Sequence, residues 1–360
     1  MPSSLVSDRQ WRYLDTGLRS AAQNIALNRV ILESHQQGES PHTLRFLQFQ
    51  PSALIGFHQS VAQELRVEYC KEHDIQIQRR ITGGGAIYFD PSHLGWELYL
   101  SRKIIGVASM EQIAARICGA AVHALRSLGV PANFRPRNDI EVEGRKISGT
   151  GGVFAGDSFL YQGTLLLQLD LERMLSVLRV HAEKLSSKSI ESMAQRVASV
   201  QEVLGSLPDA QQFRSAIAAA FSDEFAIEYT MASGLNEAED RRFGEVFAEI
   251  NSEEWVYAVD RSRTDAPIVS GSHRCGGGLI QADISVDLQR NLLKQVWISG
   301  DFFIYPARAI PDLEADLKDT PIPELEEKIN LFFKRNVVQM YMMTVDDIVR
   351  AIHNALVSVT

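Results

Sequence analysis

Three consecutive glycines, Gly83, Gly84 and Gly85, constrain this chain more than any other feature of its sequence. Each loses more conformational freedom on folding than any other residue, and none has a side chain to pack. An ordered fold gains nothing from such a run unless some group must lie close against bare backbone. Before the triplet, Asp74 to Arg79 alternates polar and apolar residues and predicts a half-buried strand that delivers Arg79 and Arg80. After it, Ala86 to Asp90 predicts the return strand. A flexible hairpin tip is the plain alternative. The paired arginines favour a ligand loop, with amide N–H groups and Cα atoms against a phosphate or a flat apolar group and a cation beside them.

A second stretch, Arg137 to Gly149, predicts a hairpin turning at Glu143-Gly144. Regular pairing then sets Glu141 opposite Lys146 and Asp139 opposite Ser148. Alternation gathers Asp139, Glu141, Lys146 and Ser148 on one face and sends Ile140, Val142 and Ile147 to the core. The polar face is either a solvated surface or the wall of a cleft in which Lys146 offers a point charge and Asp139 helps to hold a metal or nucleotide.

Elsewhere, apolar spacing predicts helices over 21–34, 60–73, 113–128 (with Ser109 and Gln112 as a capping box), 171–180, 200–204, 210–225, 236–250, 324–333 and 345–357. Strands are expected at 43–49, 53–56, 95–101, 157–169, 279–286 and 293–300. Gly163, inside one of these, implies close approach by another group or a bulge. Residues 181–192 suggest a polar loop, a candidate cover, and 261–271 a linker. Gly276 to Gly278 suggests a turn. The expected organisation is a large domain over 1–262 and a separate small domain over 272–360.

Of the 360 residues 45% are hydrophobic and 22% charged, as in ordinary globular proteins. With 36 Lys and Arg against 45 Asp and Glu, the net charge of −9 disfavours broad nucleic-acid or anionic-membrane binding. No apolar run reaches spanning length, and the first residues lack the order of a signal peptide. Cys70, Cys118 and Cys275 show neither disulfide nor zinc spacing. A cytoplasmic protein is expected.

Together these residues resemble the lipoate–protein ligase family over nearly the whole chain. Arg79 to Tyr88 is similar to its Arg-Arg-x-x-Gly-Gly-Gly-Ala-Val-Tyr signature. Asn138-Asp139-Ile140 with Lys146-Ile147-Ser148-Gly149, Gly163-Thr164-Leu165-Leu166, Arg196-Val197, and Ser299-Gly-Asp-Phe-Phe303 resemble its further motifs in the same order. The resemblance implies an α/β (α+β) fold of the class II aminoacyl-tRNA synthetase and biotin ligase type, with a mixed sheet, flanking helices and a small C-terminal α+β domain. It also implies activation of lipoate by Mg2+ and ATP to lipoyl-AMP, then transfer to a lysine of a lipoyl carrier. The carrier would be a 2-oxoacid dehydrogenase acyltransferase domain, the glycine cleavage H protein or another lipoyl carrier.

Carried over residue by residue, Lys146 would join carboxylate and α-phosphate. Arg80 would bind phosphate, Gly83, Gly84 and Gly85 would cradle lipoyl chain and adenylate, and Ala86, Ile87 and Tyr88 would line the nucleotide pocket. Asn138, Ser148, Gly149, Gly163 and Thr164 would complete the binding set, and Asp139 would hold Mg2+. Adenylation builds charge at the α-phosphate, where fixed donors and cations are needed.

Three residues depart from the family pattern: Phe89 and Gln162 stand where histidines are usual, and Asn28 where an acid is common. The first two put the choice of acid and carrier in question more than the reaction type. An octanoyltransferase shares several motifs, but 131–137 contains no cysteine for the branch that uses a cysteine nucleophile. Biotin ligase's Gly-Arg-Gly-Arg loop is absent. A non-catalytic carrier-binding scaffold has no need of the Arg80, Gly83 to Gly85 and Lys146 set.

Overall fold

The structure, a computed structural model, describes residues 9–106, 110–136, 138–179, 192–207, 209–260 and 268–357. The suggested cover over 181–191, the linker residues 261–267 and the capping residue Ser109 lie outside them. By contacts the chain forms two compact units. One comprises Met1–Leu54, Leu65–Gln78 and Ile87–Trp255; the other comprises Ile55–Glu64, Arg79–Ala86 and Val256–Thr360.

In chain order the first unit's strands are β1 (Gln10–Arg19), β2 (Thr43–Phe49), β3 (Ser52–Ile55), β4 (Gln76–Arg79), β5 (Ile87–Phe89), β6 (His93–Ser101), β7 (Asn133–Arg135), β8 (Asp139–Val142), β9 (Arg145–Ala155), β10 (Ser158–Leu166) and β11 (Glu228–Ala232). The chain enters the second unit at the last residues of β3 and β4. Eight of these strands form one mixed sheet in the order β11-β1-β2-β6-β10-β9-β8-β7. The β11, β1 and β2 strands run parallel and the rest antiparallel. A parallel pair needs a crossover, and the helix Ala21–Gln36 supplies it between β1 and β2. The start of this helix is fixed by a reciprocal cap: Gln23 N–H donates to Ser20 Oγ at 3.2 Å, and Ser20 N–H to Gln23 Oε1 at 3.1 Å.

The β1 strand was not expected, because Arg12 interrupts its apolar side. Arg12 is buried nonetheless: its guanidinium forks onto the carboxylate of Glu239 at 2.7 and 2.6 Å. Segment 60–73 is two short helices, Val61–Glu64 and Val67–Glu72, rather than one. Met110–Ser127 and Ala210–Phe225 form long helices of the first unit, and Phe221 of the latter packs on Trp96 with ring centroids 5.3 Å apart.

In the second unit, β12 (Ile268–Cys275), β13 (Gly278–Asp287), β14 (Leu292–Gly300) and β15 (Thr320–Pro321) form an antiparallel sheet. Residues 268–271, expected as linker, open β12. Gly271 is bare because the helix Val345–Val357 lies on it: a Cβ there would be 2.1 Å from Ala355 N. Gly276 and Gly277 form the expected turn. Ile280, Ile284, Phe302, Leu313, Ile329 and Ile352 lie in the unit's apolar core. The accumulated elements make an α/β fold with a large mixed sheet and flanking helices.

Candidate active site

The first constellation is built on the β8–β9 hairpin. Glu143 and Gly144 both have positive φ, 52° and 76°, as a two-residue turn of this kind requires. Glu141 pairs with Lys146 as expected. Asp139, however, pairs with Gly149, and Ser148 pairs with Ile140. The register shifts by one residue between these pairs, leaving Ile147 as the extra residue of a β-bulge. The bulge turns both Ile147 and Ser148 into the core, at 0% and 1% exposure. Ser148 is therefore off the polar face on which alternation alone had set it, and Gly149 replaces it there.

That exchange gives Lys146 room. Its Nζ lies 2.7 Å from Asp139 Oδ1, and a Cβ on Gly149 would come within 2.8 Å of both Lys146 Cε and Nζ. The lysine lies across bare backbone. Thr164, on the neighbouring strand β10, accepts from Gly149 N–H at 3.2 Å through its hydroxyl oxygen. Lys146 itself is bracketed through its main chain: its N–H donates to Arg196 C=O at 2.8 Å, and its C=O accepts from Ala198 N–H at 2.9 Å. The Arg196-Val197 pair thus serves as a rail beside the lysine. Asn138 is fixed by Thr150, whose N–H donates to Asn138 C=O at 2.7 Å while Asn138 Nδ2 donates to Thr150 C=O at 3.0 Å. Beside the hairpin a cavity of about 590 Å3 is lined by Ser92, Arg145, Gln168, Asp170, Val197 and Glu202 among others.

Gly163 meets a group of the protein itself. A Cβ there would stand 2.2 Å from Cζ2 of Trp96, so the absence of a side chain admits the buried indole. Ile87 and Tyr88 pair with Leu54 and Ala53 of β3. Tyr88 is buried, which pushes its phenol well above the usual range, and Arg173 lies over its ring at 5.9 Å.

The second constellation, in the second unit, contains Arg80 and the glycines. Arg79, which the sequence did not single out as a site residue, is a main-chain clamp: it donates to the carbonyls of Gly56, Phe57, Gln59 and Val256 at 2.7 to 3.2 Å. Arg80 Nη2 donates to the carbonyls of Gly83 at 3.2 Å and Gly85 at 2.8 Å. Burial lowers its guanidinium to about 10. Gly84 has φ of 93°, a conformation that favours glycine. Its C=O rests on Gly56, where a Cβ would be 1.9 Å from that oxygen. Among the described residues, none accepts a hydrogen bond from the N–H groups of Gly83, Gly84 and Gly85. Phe302 and Phe303, expected only as a motif of the accessory segment, pack on this loop; the sequence carried no signal that they would.

Lys146, Asp139, Gly149 and Thr164 are thus brought together, as are Arg80, Gly83, Gly84 and Gly85. The Lys146–Asp139 contact is an ion pair, and an ammonium has three donors, so Lys146 can also serve anionic oxygens. Among the described residues no cluster of three His, Cys, Asp or Glu side chains could hold a metal, and no helix is long and apolar enough to cross a membrane.

The departing residues have defined surroundings. Phe89 packs on Phe49 at 4.6 Å and edge-on to His93 at 5.4 Å. Asn28 Nδ2 donates to Glu97 Oε1 at 2.6 Å and to Tyr99 Oη at 3.1 Å. Gln162 sits on β10 opposite Glu97 and Gly151.

Residues 20–222 match the family model of the lipoyl protein ligase A/B catalytic domain. The chain belongs to the lipoyl protein ligase A/B family. Among curated members, it is 29% identical over 280 residues to lipoate–protein ligase 1 of Staphylococcus aureus, covering 78% of this chain and 81% of that one. It is 26% identical over 266 residues to octanoyltransferase LipM of Moorella thermoacetica, covering 68% and 97%. Among solved structures, it resembles the bi-partite lipoate protein ligase of Thermoplasma acidophilum, described with its E2 lipoyl domain (TM-score 0.62, 26% identity, 71% of this chain and 99% of that one). It also resembles a lipoate-protein ligase A bound with ATP (TM-score 0.61, 25% identity, 69% and 98%). Membership of the ligase A/B family accounts for the mixed sheet and its helices.

Proposed function

We propose that this family member is an ATP-dependent lipoate–protein ligase with a catalytic domain over 1–262 and an accessory domain over 272–360, acting in the cytoplasm. The observation that carries this is Lys146, laid over Gly149 and held 2.7 Å from Asp139. An ammonium so placed suits a reaction in which a carboxylate oxygen attacks the α-phosphorus of ATP and pyrophosphate leaves. It stabilises negative charge as that charge grows. In the second step the amine of a carrier lysine attacks the acyl carbonyl, AMP departs and the amine loses a proton. Arg80 and the N–H groups of Gly83 to Gly85 would neutralise and orient the phosphate and acyl group. Asn138 and Thr164 would border the substrate beside Lys146, Ile87 and Tyr88 would line the nucleotide site, and Ala86 would extend the glycine loop.

Asp139 presents one carboxylate, which fits the way Mg2+ is commonly held by one or two carboxylates together with substrate phosphates. Bound there, Mg2+ would screen phosphate charge. The carrier we assign is a lipoyl domain, of a 2-oxoacid dehydrogenase, the glycine cleavage H protein or another lipoyl carrier; the Thermoplasma structure described with its E2 lipoyl domain supports that class of partner.

The octanoyltransferase relative keeps a second reading in view, transfer from an acyl carrier without ATP. Against its cysteine-dependent form stands Cys118. This thiol is fully buried, lies 3.3 Å from Tyr161 Oη, and is pushed up by burial to about 11, unsuited to nucleophilic attack. ATP–pyrophosphate exchange with free lipoate, octanoate and biotin in turn separates the readings. Exchange with lipoate is expected. No exchange with any free acid, together with transfer from an octanoyl carrier, would replace the ligase by the transferase.

A further inference from the structure

Three buried side chains from three elements form a hydrogen-bonded row that ends at the β8–β9 hairpin. Cys118 Sγ, on the helix Met110–Ser127, lies 3.3 Å from Tyr161 Oη on β10, and that hydroxyl lies 2.8 Å from Thr150 Oγ1 on β9. Thr150 Oγ1 donates in turn to Asn138 C=O at 3.0 Å.

The direction of every proton in the row follows from its last member. A carbonyl only accepts, so the single hydroxyl proton of Thr150 goes to Asn138. Tyr161 must then donate to Thr150. The Cys118 thiol finds only acceptors, Tyr161 Oη and, at 3.6 Å, Thr150 Oγ1. Burial pushes this thiol up to about 11, which keeps its proton on sulfur. The row therefore points one way, from helix to hairpin.

Asn138 is held by more than strand pairing needs. Its C=O accepts both the N–H of Thr150, at 2.7 Å, and the hydroxyl, while its Nδ2 donates to Thr150 C=O at 3.0 Å. A planar peptide joins that C=O to the N–H and Cα of Asp139. Fixing the carbonyl thus fixes the backbone from which the Asp139 side chain departs, and Asp139 Oδ1 lies 2.7 Å from Lys146 Nζ.

We propose that Thr150, oriented by Tyr161 and Cys118, is a positioning residue that sets the Asp139 carboxylate against Lys146. The proposal deepens the ligase reading and rests on it for the reaction. Misplacing a reacting group by about 1 Å can cost on the order of 100-fold in rate. A buried hydroxyl can therefore govern the chemical step from behind the strand.

The test uses the full chain and the variants Thr150→Val, Thr150→Ser and Tyr161→Phe, each alone and combined with Asp139→Asn. Pyrophosphate exchange gives kcat and separate KM values for lipoate and ATP, and thermal unfolding gives stability. Thr150→Val is expected to lower kcat about tenfold while both KM values stay within about twofold. Thr150→Ser, which keeps the hydroxyl, should recover most of the rate, and Tyr161→Phe should fall in between. With Asp139→Asn already present, the kcat loss from Thr150→Val should vanish, whereas its effect on the unfolding temperature should persist. Should Thr150→Val fail to fold, Tyr161→Phe carries the comparison. Wild-type kcat in the folded variants, or an equal kcat loss with and without the Asp139 carboxylate, overturns the proposal. A wild-type protein that transfers octanoyl from a carrier without exchanging pyrophosphate overturns the ligase reading instead, and the same variants are then judged on that transfer.

Discussion

Lys146 Nζ lies 2.7 Å from Asp139 Oδ1, although the two are not ladder partners: Asp139 pairs with Gly149 and Lys146 with Glu141. They meet diagonally because Gly149 offers no side chain to hold them apart.

The consequence for Lys146→Ala is a separation of stability from activity. Both side chains are partly exposed, 35% and 25%, and such a pair stabilises a fold by only about 0–1 kcal/mol. The unfolding temperature should change by less than about 4 °C, while adenylate formation falls by at least about 100-fold. Pyrophosphate exchange and calorimetric melting measure the two; near-normal exchange removes the assigned role.

Two glycine substitutions should move stability in opposite directions. Gly163→Ala drives a methyl group into the buried Trp96 indole and should cost about 1–3 kcal/mol or more. Gly119→Ala, on the exposed side of the helix Met110–Ser127 with no atom within 4 Å, should stabilise by about 0.5–1 kcal/mol. Urea unfolding of both variants checks the signs.

Asn28→Asp places a second carboxylate in a buried network that holds one guanidinium and one carboxylate. Arg45 Nη1 lies 2.9 Å from Glu97 Oε2, Asn28 Nδ2 donates to Glu97 Oε1, and Tyr99 Oη donates to Glu97 Oε2 at 2.6 Å. Two acids at that separation cannot both ionise, so the new carboxyl should titrate higher folded than unfolded. The loss, on the order of 3 kcal/mol, is full at neutral pH. It shrinks as pH falls through the raised folded value toward the ordinary carboxylate range. A deficit equal at pH 7 and pH 4 would contradict this account.

Two histidines make stability fall in acid. Burial, with His42 and Arg12 near by, lowers His35 to about 4; burial, with Arg79 near by, lowers His58 to about 3. Both stay neutral in the fold while the unfolded chain takes protons near 6.5. Their contribution is complete above that value and drains away down to about 4 and about 3. The slope is at most about 1.4 kcal/mol per pH unit for each. Denaturant midpoints between pH 7 and pH 5 should drop, and less so in His35→Gln.

The turn at Glu143-Gly144 and most helices were legible in sequence because local pattern and turn chemistry decide them. The place of Ser148 was not, since strict alternation cannot register an inserted residue. Strand β1 was hidden because Arg12 reads as surface until Glu239, distant in sequence, neutralises it. Likewise Gly83 and Gly84 announce that something lies against them, but only folding brings up Phe303 as that group.

A strand that keeps step places residues on one side only at even separations. Lys146 and Gly149 are three apart and yet share a side, an odd spacing that the additional residue at Ile147 makes possible. Deleting Ile147 would restore regular pleating and leave an outwardly sound hairpin. With Glu141 still opposite Lys146 and Asp139 still opposite Gly149, the ammonium would keep its place, and the core would lose the buried side chain of Ile147.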